Sequence, residues 1–375
     1  RWCHSKVRRT FSSRYISRSF SSQGSFYGLL IEYPNQDSAR FRGWTLRPSA
    51  RINDPIPTTI CGKTVDMRFA VLGYGKIARE VMIPAIQASG HEVTVIGSAR
   101  GAAPESFDGR MVCDYFQALQ HEDVDAIYIA LPNHLHHEMT IASLASKKPV
   151  LCEKPLGLTA HQVRDLAESA RHHQTLVREA FMVASHPQWH WLRSQIDEKA
   201  QIDISVQFHY DNRDVFNIRN RPETGGGARL DIGCYALWVA DWLGAKVEND
   251  AYGYQEVANG VDIQSTGSLW FDGSVRLHFD VSMRRTRFQQ VVVQAEDKCW
   301  VIPRPFNPLS ESVVWTMGPL GIIEETHFEG NQYERMINAF CCDVEDGVLT
   351  DLSRSLRIAK WSDGIANRFE RRLTE

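Results

Sequence analysis

The sequence contains no apolar run approaching the roughly 18 residues that a membrane-spanning helix requires, so no membrane partner is expected. It lacks a large excess of one charge. With 42 Lys and Arg against 45 Asp and Glu the net charge is −3, and nothing in that balance points to nucleic acid or an anionic surface. It also lacks any CxxC pair. The eight cysteines stand at 3, 61, 113, 152, 234, 299, 341 and 342. Adjacent cysteines such as Cys341 and Cys342 bridge poorly, and several others sit in apolar runs, where a free thiol packs as a small hydrophobe. A reducing, cytoplasmic compartment is the reading this supports.

Acid is missing from residues 1–31, which carry six Lys or Arg and many serines. That composition resembles a mitochondrial presequence, and a mitochondrial location follows if the segment serves as one. Residues 34–60 are spaced by prolines and show no sustained periodicity. The first methionine is Met67, directly before a strand-like run. Residues 1–66 are therefore read as an upstream extension or a misassigned start, and are expected to be poorly ordered.

What is present is enough for two domains. The chain has 375 residues, 43% of them hydrophobic and 23% charged, the balance of a globular protein. From Met67 onward strands (69–72, 91–97, 123–131, 150–152, 176–182) alternate with helices (76–89, 137–146, 159–173), the first helix closed by Gly90. This alternation means βαβ units and a parallel sheet. Residues 202–210, 264–271, 274–282 and 289–294 then read as strands with a turn at Asp272-Gly273. The expected division is a dinucleotide-binding domain over 67–187 and a second domain over 188–375.

Between the first strand and helix stands Gly73-Tyr74-Gly75-Lys76-Ile77-Ala78. Gly73 permits a tight turn, Gly75 lets the backbone approach a pyrophosphate, and Ala78 allows close helix–strand packing, with the helix N-terminus facing the phosphates. The plain alternative is a simple βα turn, but the strand before and the helix after favour the dinucleotide. The second strand runs into Gly97-Ser98-Ala99-Arg100 without the acid that would hold a ribose 2′-hydroxyl. Ser98 and Arg100 suit a 2′-phosphate instead, so NADP is favoured and NAD is second. Leu131, Pro132, Asn133 and His136 follow the next strand and, at the carboxyl end of a parallel strand, are expected to line the ligand crevice. A metal role for His134, His136 and His137 is rejected, because their spacing does not complete a tetrahedral site.

The run Val150-Leu-Cys-Glu-Lys-Pro-Leu-Gly157 ends a buried strand on Glu153-Lys154-Pro155. Taken alone, Lys154 reads as an ordinary strand-end lysine. Together with MRFAVLGYGKIA at 67–78, ALPNHLHHE at 130–138 and GGGARLDIGCYAL at 225–237, it resembles the Gfo/Idh/MocA oxidoreductases (glucose–fructose oxidoreductase and inositol dehydrogenase). The tract 217–235 is similar to the branch of NADP-dependent D-xylose 1-dehydrogenases and trans-dihydrodiol dehydrogenases.

The resemblance implies a Rossmann domain followed by an α+β domain with an open, mostly antiparallel sheet, and a homodimer or higher homo-oligomer. It implies hydride transfer between NADP and the CH–OH group of a sugar or cyclic diol. It places Lys154 beside the nicotinamide with Tyr235 and Asp231 opposite, and makes Asn133 and His136 pocket-lining. Glu153 is expected to help orient the cofactor site. Asp231 and Tyr235, at i and i+4, share a helix face, and Gly225–Gly227 are expected to let the chain approach a ligand. Tyr235 is the expected proton acceptor, its pKa of about 10 lowered by the Lys154 ammonium; the roles are exchangeable, since a crowded lysine can itself be the base. One departure is Val183-Ala184-Ser185, where relatives carry a tyrosine, an arginine and an aromatic. It leaves open a non-catalytic, dinucleotide-binding regulator as the rival reading.

Overall fold

The computed structural model describes residues 50–52, 66–99, 101, 107–272, 274–296, 298–308 and 311–374. Within 1–65 this takes in only a short strand, β1 (Ala50–Ile52); the presequence-like stretch lies outside the described residues.

Six parallel strands form the first sheet: β2 (Arg68–Leu72), β3 (Glu92–Gly97), β4 (Arg110–Val112), β5 (Ala126–Ile129), β6 (Val150–Glu153) and β7 (Val177–Ala180). Their order is β4-β3-β2-β5-β6-β7. The connections run through a π-helical turn (Ala78–Met82) continuing into α1 (Ile83–Ala88), then α2 (Tyr115–Leu119), α3 (His136–Ala145) and α4 (Ala160–His173). Helices on both faces explain why β5 is buried at every position. Gly90, at φ +84°, ends the first helix as expected, and the His91 N–H reaches back to the Ile86 carbonyl at 3.1 Å. The strand order reverses between β2 and β5, so the carboxyl ends of the strands on either side open onto one crevice.

The strand expected over 176–182 stops at Ala180, because the chain turns through Met182–Ser185 into α5 (Pro187–Ser194). Proline opens that helix, and the His186 Nδ1 accepts the Gln188 N–H at 3.3 Å. His186 is fully buried, and among the described residues its Nε2 has no hydrogen-bond partner. Burial, with Arg335 adding to it, pushes its pKa down to about 4. An unfolded chain takes up this proton near 6.5, before the folded chain does, so stability is complete above that pH and is lost as pH falls. We expect about 3 kcal/mol of loss from this group between neutrality and pH 4. Thermal midpoints measured across that range should fall, and His186→Asn, which keeps a helix cap, should flatten the slope.

The second half contains β8 (Ile202–Asp211), α6 (Cys234–Trp242), β9 (Glu248–Ala258), β10 (Val261–Phe271), β11 (Val275–Ser282), β12 (Arg284–Ala295), β13 (Lys298–Ile302), β14 (Glu311–Gly318), β15 (Gly321–Glu329), α7 (Gln332–Glu345), α8 (Ser353–Arg368) and β16 (Glu370–Leu373). The sheet order is β1-β15-β14-β13-β12-β8-β11-β10-β9-β16. Pairing is antiparallel except for β1 with β15, β8 with β11 and β9 with β16. This is the α/β plus α+β architecture expected. Along β8, Ile202, Ile204, Val206 and Phe208 point into the core while Ser205 and Asp211 are exposed.

Helix α6 packs between β11 and α8 and is buried from Cys234 through Asp241. The buried Asp241 carboxylate is clamped by Arg354 Nε at 2.7 Å and Arg357 Nε at 2.5 Å, both from α8. Helices α7 and α8, which no motif announced, return to the first sheet. Arg178 on β7 meets Asp343 on α7 at 2.8 Å, and Asp363 on α8 accepts the Ala160 N–H at 2.9 Å. Among the described residues no helix is long and apolar enough to cross a membrane.

Candidate active site

The site is assembled from the carboxyl ends of β2, β3, β5 and β6. After β2, Gly73 turns at φ +97° with its N–H on the Gly97 carbonyl at 2.8 Å. A Cβ there would stand 2.6 Å from the Ala130 carbonyl oxygen, so only glycine lets this turn meet the end of β5. Gly75 is exposed, and a Cβ on it would meet no atom within 4 Å. Lys76 is exposed, 3.8 Å from Glu80, Ile77 is half-buried and Ala78 fully buried. An open turn at Gly75 before a helix N-terminus fits a dinucleotide pyrophosphate.

After β3, Ser98 is buried with its N–H on the Val112 carbonyl at 2.9 Å. Glu92 sits at the far end of the strand, so no carboxylate from β3 opposes a 2′-phosphate. Arg100 lies outside the described residues.

After β5, Leu131 is buried and Pro132 half-buried. The Asn133 Nδ2 donates to the Gly225 carbonyl at 2.8 Å, joining the two halves of the chain. His136 departs from the expectation that it lines the pocket. It is 1% exposed, and its two ring nitrogens lie 2.8 Å from the Pro155 and Leu131 carbonyls. Its place is behind the loop, strapping the β5 exit to the β6 exit. Glu153 likewise points inward, its Oε1 accepting the Tyr128 hydroxyl at 2.7 Å, and burial raises its pKa.

Lys154 leaves β6 with a cis peptide to Pro155. Its Nζ donates to the Asp231 carbonyl oxygen at 2.6 Å and to Asp231 Oδ1 at 3.2 Å, and lies 5.1 Å from the centre of the Tyr235 ring. The three residues expected to meet from 77 to 81 positions apart therefore do meet. Burial works against the lysine's charge, but Asp231, Cys234 and Glu153 outweigh burial and Arg219, and its pKa stands above the ordinary value. Burial would also raise the Asp231 pKa, yet Arg219, Lys154 and Tyr210 hold that carboxyl well below the usual range. The pair is ionised at neutral pH.

The expected phenolate at Tyr235 needs correcting. The ammonium faces the ring and not the hydroxyl, which donates to Met182 Sδ at 3.5 Å. The ring is 5% exposed and packed between Phe181, Phe208 and Phe306. Burial pushes its pKa well above 10, the opposite of the lowering anticipated, because desolvation of a phenolate outweighs an ammonium that is not hydrogen-bonded to it.

The glycine tract lets the chain pack closely. A Cβ at Gly226 would stand 2.5 Å from the Arg219 carbonyl oxygen, and one at Gly227 2.2 Å from Asp262 Oδ1.

Two residues at the site escaped the sequence reading. Tyr210 donates its hydroxyl to Asp231 Oδ2 at 2.6 Å, and Arg219 Nε lies 3.0 Å from the same oxygen. Tyr210 ends the inward alternation of β8, and Arg219, though inside the tract 217–235, has its carboxylate partner twelve residues further on, so no local pattern shows that either meets Asp231. Among the described residues no group of three His, Cys, Asp or Glu is placed to hold a metal.

Comparison with known proteins identifies the family. Residues 67–181 match the GFO/IDH/MocA oxidoreductase family with its NAD-binding Rossmann fold, and residues 200–301 match the GFO/IDH/MocA C-terminal domain. An uncharacterized oxidoreductase of Rhizobium meliloti is 31% identical over 255 residues, covering 64% of this chain and 76% of that protein. The NADP-dependent D-xylose 1-dehydrogenase 2 of Haloferax volcanii is 28% identical over 312 residues, covering 80% and 96%. The crystal structure of KijD10, a 3-ketoreductase from Actinomadura kijaniata in complex with NADP and TDP-benzene, superimposes with a TM-score of 0.77 at 28% identity, over 83% of this chain and all of that one. The chain belongs to the Gfo/Idh/MocA family and is an NAD(P)-dependent oxidoreductase.

Proposed function

We propose that the chain interconverts a carbonyl and a CH–OH group on a sugar or cyclic diol, using NADP(H), and that Lys154 is the acid for carbonyl reduction. The observation that carries this reading is the Lys154 ammonium, only 12% exposed, paired to Asp231 at the carboxyl end of β6. Gly73–Ala78 and Ser98 would hold the cofactor, which as NADPH would give a hydride to the carbonyl carbon and as NADP+ would take one from the alcohol carbon. The chain's own part is the proton. In reduction, the Lys154 Nζ gives one proton to the oxygen of the carbonyl whose carbon receives the hydride, and is reprotonated from water. The same group serves as base in the reverse direction only after losing its proton, which its raised pKa makes costly at neutrality.

Asp231 keeps the ammonium charged and in place, and the ring of Tyr235 gives it an apolar wall with a favourable face. The D-xylose 1-dehydrogenase and the 3-ketoreductase among the relatives support a sugar-like substrate. The direct test mixes the purified protein with NADPH and a panel of keto-sugars, and with NADP+ and a panel of aldoses and cyclic diols, following cofactor absorbance against pH. Reduction should weaken and oxidation strengthen as pH rises. Tight cofactor binding with no turnover on any panel would favour the regulatory reading left open by Val183–Ser185.

A further inference from the structure

Asp231 receives three donors from three separate elements, and they divide between its oxygens. Oδ2 takes the Tyr210 hydroxyl at 2.6 Å, from the end of β8, and Arg219 Nε at 3.0 Å, from the helical turn Ile218–Asn220. Oδ1 is left to the Lys154 ammonium at 3.2 Å. We propose that Arg219 and Tyr210 are positioning residues for the proton-transferring lysine: by pinning one oxygen of Asp231 they fix the other, and with it the Lys154 ammonium. This rests on the reading of Lys154 as the acid.

The protein goes to some length to hold Arg219. The Asn217 side chain caps its turn by accepting the Arg219 N–H at 3.0 Å. The Gly227 N–H donates to the Arg219 carbonyl at 2.9 Å, an approach that a Cβ on Gly226 would block at 2.5 Å. The glycine tract so locks the backbone of Arg219 to the start of the π-helical turn Arg229–Gly233, which carries Asp231 and runs into α6. Tyr210 is the phenol actually bonded to the Asp231 carboxylate, in a place where Tyr235 offers only its ring.

Arg219 has a second effect. Two cations share one carboxylate, and Arg219 opposes the charge of Lys154. The other groups acting on the lysine are Asp231 and Cys234 on the helical segment, and Glu153 on β6. Tyr210, Glu179 on β7, His136 on α3 and Tyr333 on α7 also feel its charge. Among the groups acting most strongly on the lysine, Arg219 is the charge that favours release of its proton. Loss of Arg219 therefore makes Lys154 a weaker and less well-placed acid.

The test uses the full chain with Arg219→Ala, Tyr210→Phe and Lys154→Ala, assayed for carbonyl reduction. Arg219→Ala should lower kcat about tenfold to a hundredfold with little change in KM or NADPH affinity. Its alkaline limb should move up by about half a pH unit or more, and added guanidinium ion should restore part of the rate. Tyr210→Phe, which keeps the ring and the fold, should lower kcat without abolishing it. Wild-type kcat and an unmoved alkaline limb in Arg219→Ala and Tyr210→Phe, beside an inactive Lys154→Ala, would overturn this proposal alone. A fully active Lys154→Ala would overturn the assignment of Lys154 and this proposal with it.

Discussion

Lys154→Ala should abolish almost all turnover, lowering kcat by about a hundredfold to ten-thousandfold, while the affinity for NADPH stays within about twofold of wild type. The nitrogen removed is the proton source of the proposed reaction, but it is not a structural keystone. Asp231 keeps the Tyr210 hydroxyl at 2.6 Å and Arg219 Nε at 3.0 Å, so the substitution does not strand a buried carboxylate without a partner, the situation that makes broken ion pairs costly. The cofactor contacts expected at Gly73, Gly75 and Ser98 lie on other strands. Lys154→Arg should be nearly as inactive. It preserves the charge beside Asp231, but a guanidinium does not release a proton near neutral pH. Steady-state rates of NADPH oxidation, with cofactor affinity from fluorescence titration, check both. Retention of wild-type kcat by either variant would remove Lys154 from the chemistry.

Gly73→Ala should damage both stability and cofactor binding. The residue sits at φ +97°, where an L side chain is strained by about 1–3 kcal/mol. Its Cβ would stand 2.6 Å from the Ala130 carbonyl oxygen and 2.9 Å from the carbonyl carbon. Neither atom yields easily, because Ala130 directly follows β5 and its N–H is bonded to the Leu72 carbonyl of β2 at 2.8 Å. Strain and overpacking together should cost about 3 kcal/mol or more, lowering the thermal midpoint by roughly 5 °C or more. The Leu131-Pro132 loop would shift with Ala130, so NADP+ affinity should fall as well. Gly75→Ala gives the contrast, since a Cβ there has open space in the folded protein; it should leave the midpoint near wild type and weaken only the cofactor. Equal loss of stability in the two variants would mean that the close approach of β2 and β5 is not what requires Gly73.

The alternation of apolar strands and helices from Met67 to Ala180 was legible because each βαβ unit is local: a buried strand, a glycine turn and a capped helix write themselves within some thirty residues. Strand limits were less so. The stretch 123–131 yields only Ala126–Ile129 to the sheet, and 176–182 ends at Ala180, because neighbouring strands and the turn into His186-Pro187 set the ends. Helices α7 and α8 carried no motif, since their role is to pack back on the first sheet, a long-range fact absent from any local window.

At the site, local sequence already settles which backbone turns are possible and which charged group stands at the end of β6. Gly73 answers a left-handed turn at φ +97°, Gly75 keeps the turn open, and Lys154 places an ammonium where β6 ends. Tertiary structure decided the rest. It turned the Tyr235 hydroxyl toward Met182 and its ring toward the ammonium, withdrew His136 behind the loop, and brought Tyr210 and Arg219 onto Asp231. A side chain's protonation and hydrogen bonds depend on what surrounds it in three dimensions, and here those surroundings come from β6, β8, the 218–220 turn and the helix carrying Asp231, segments that only folding places together.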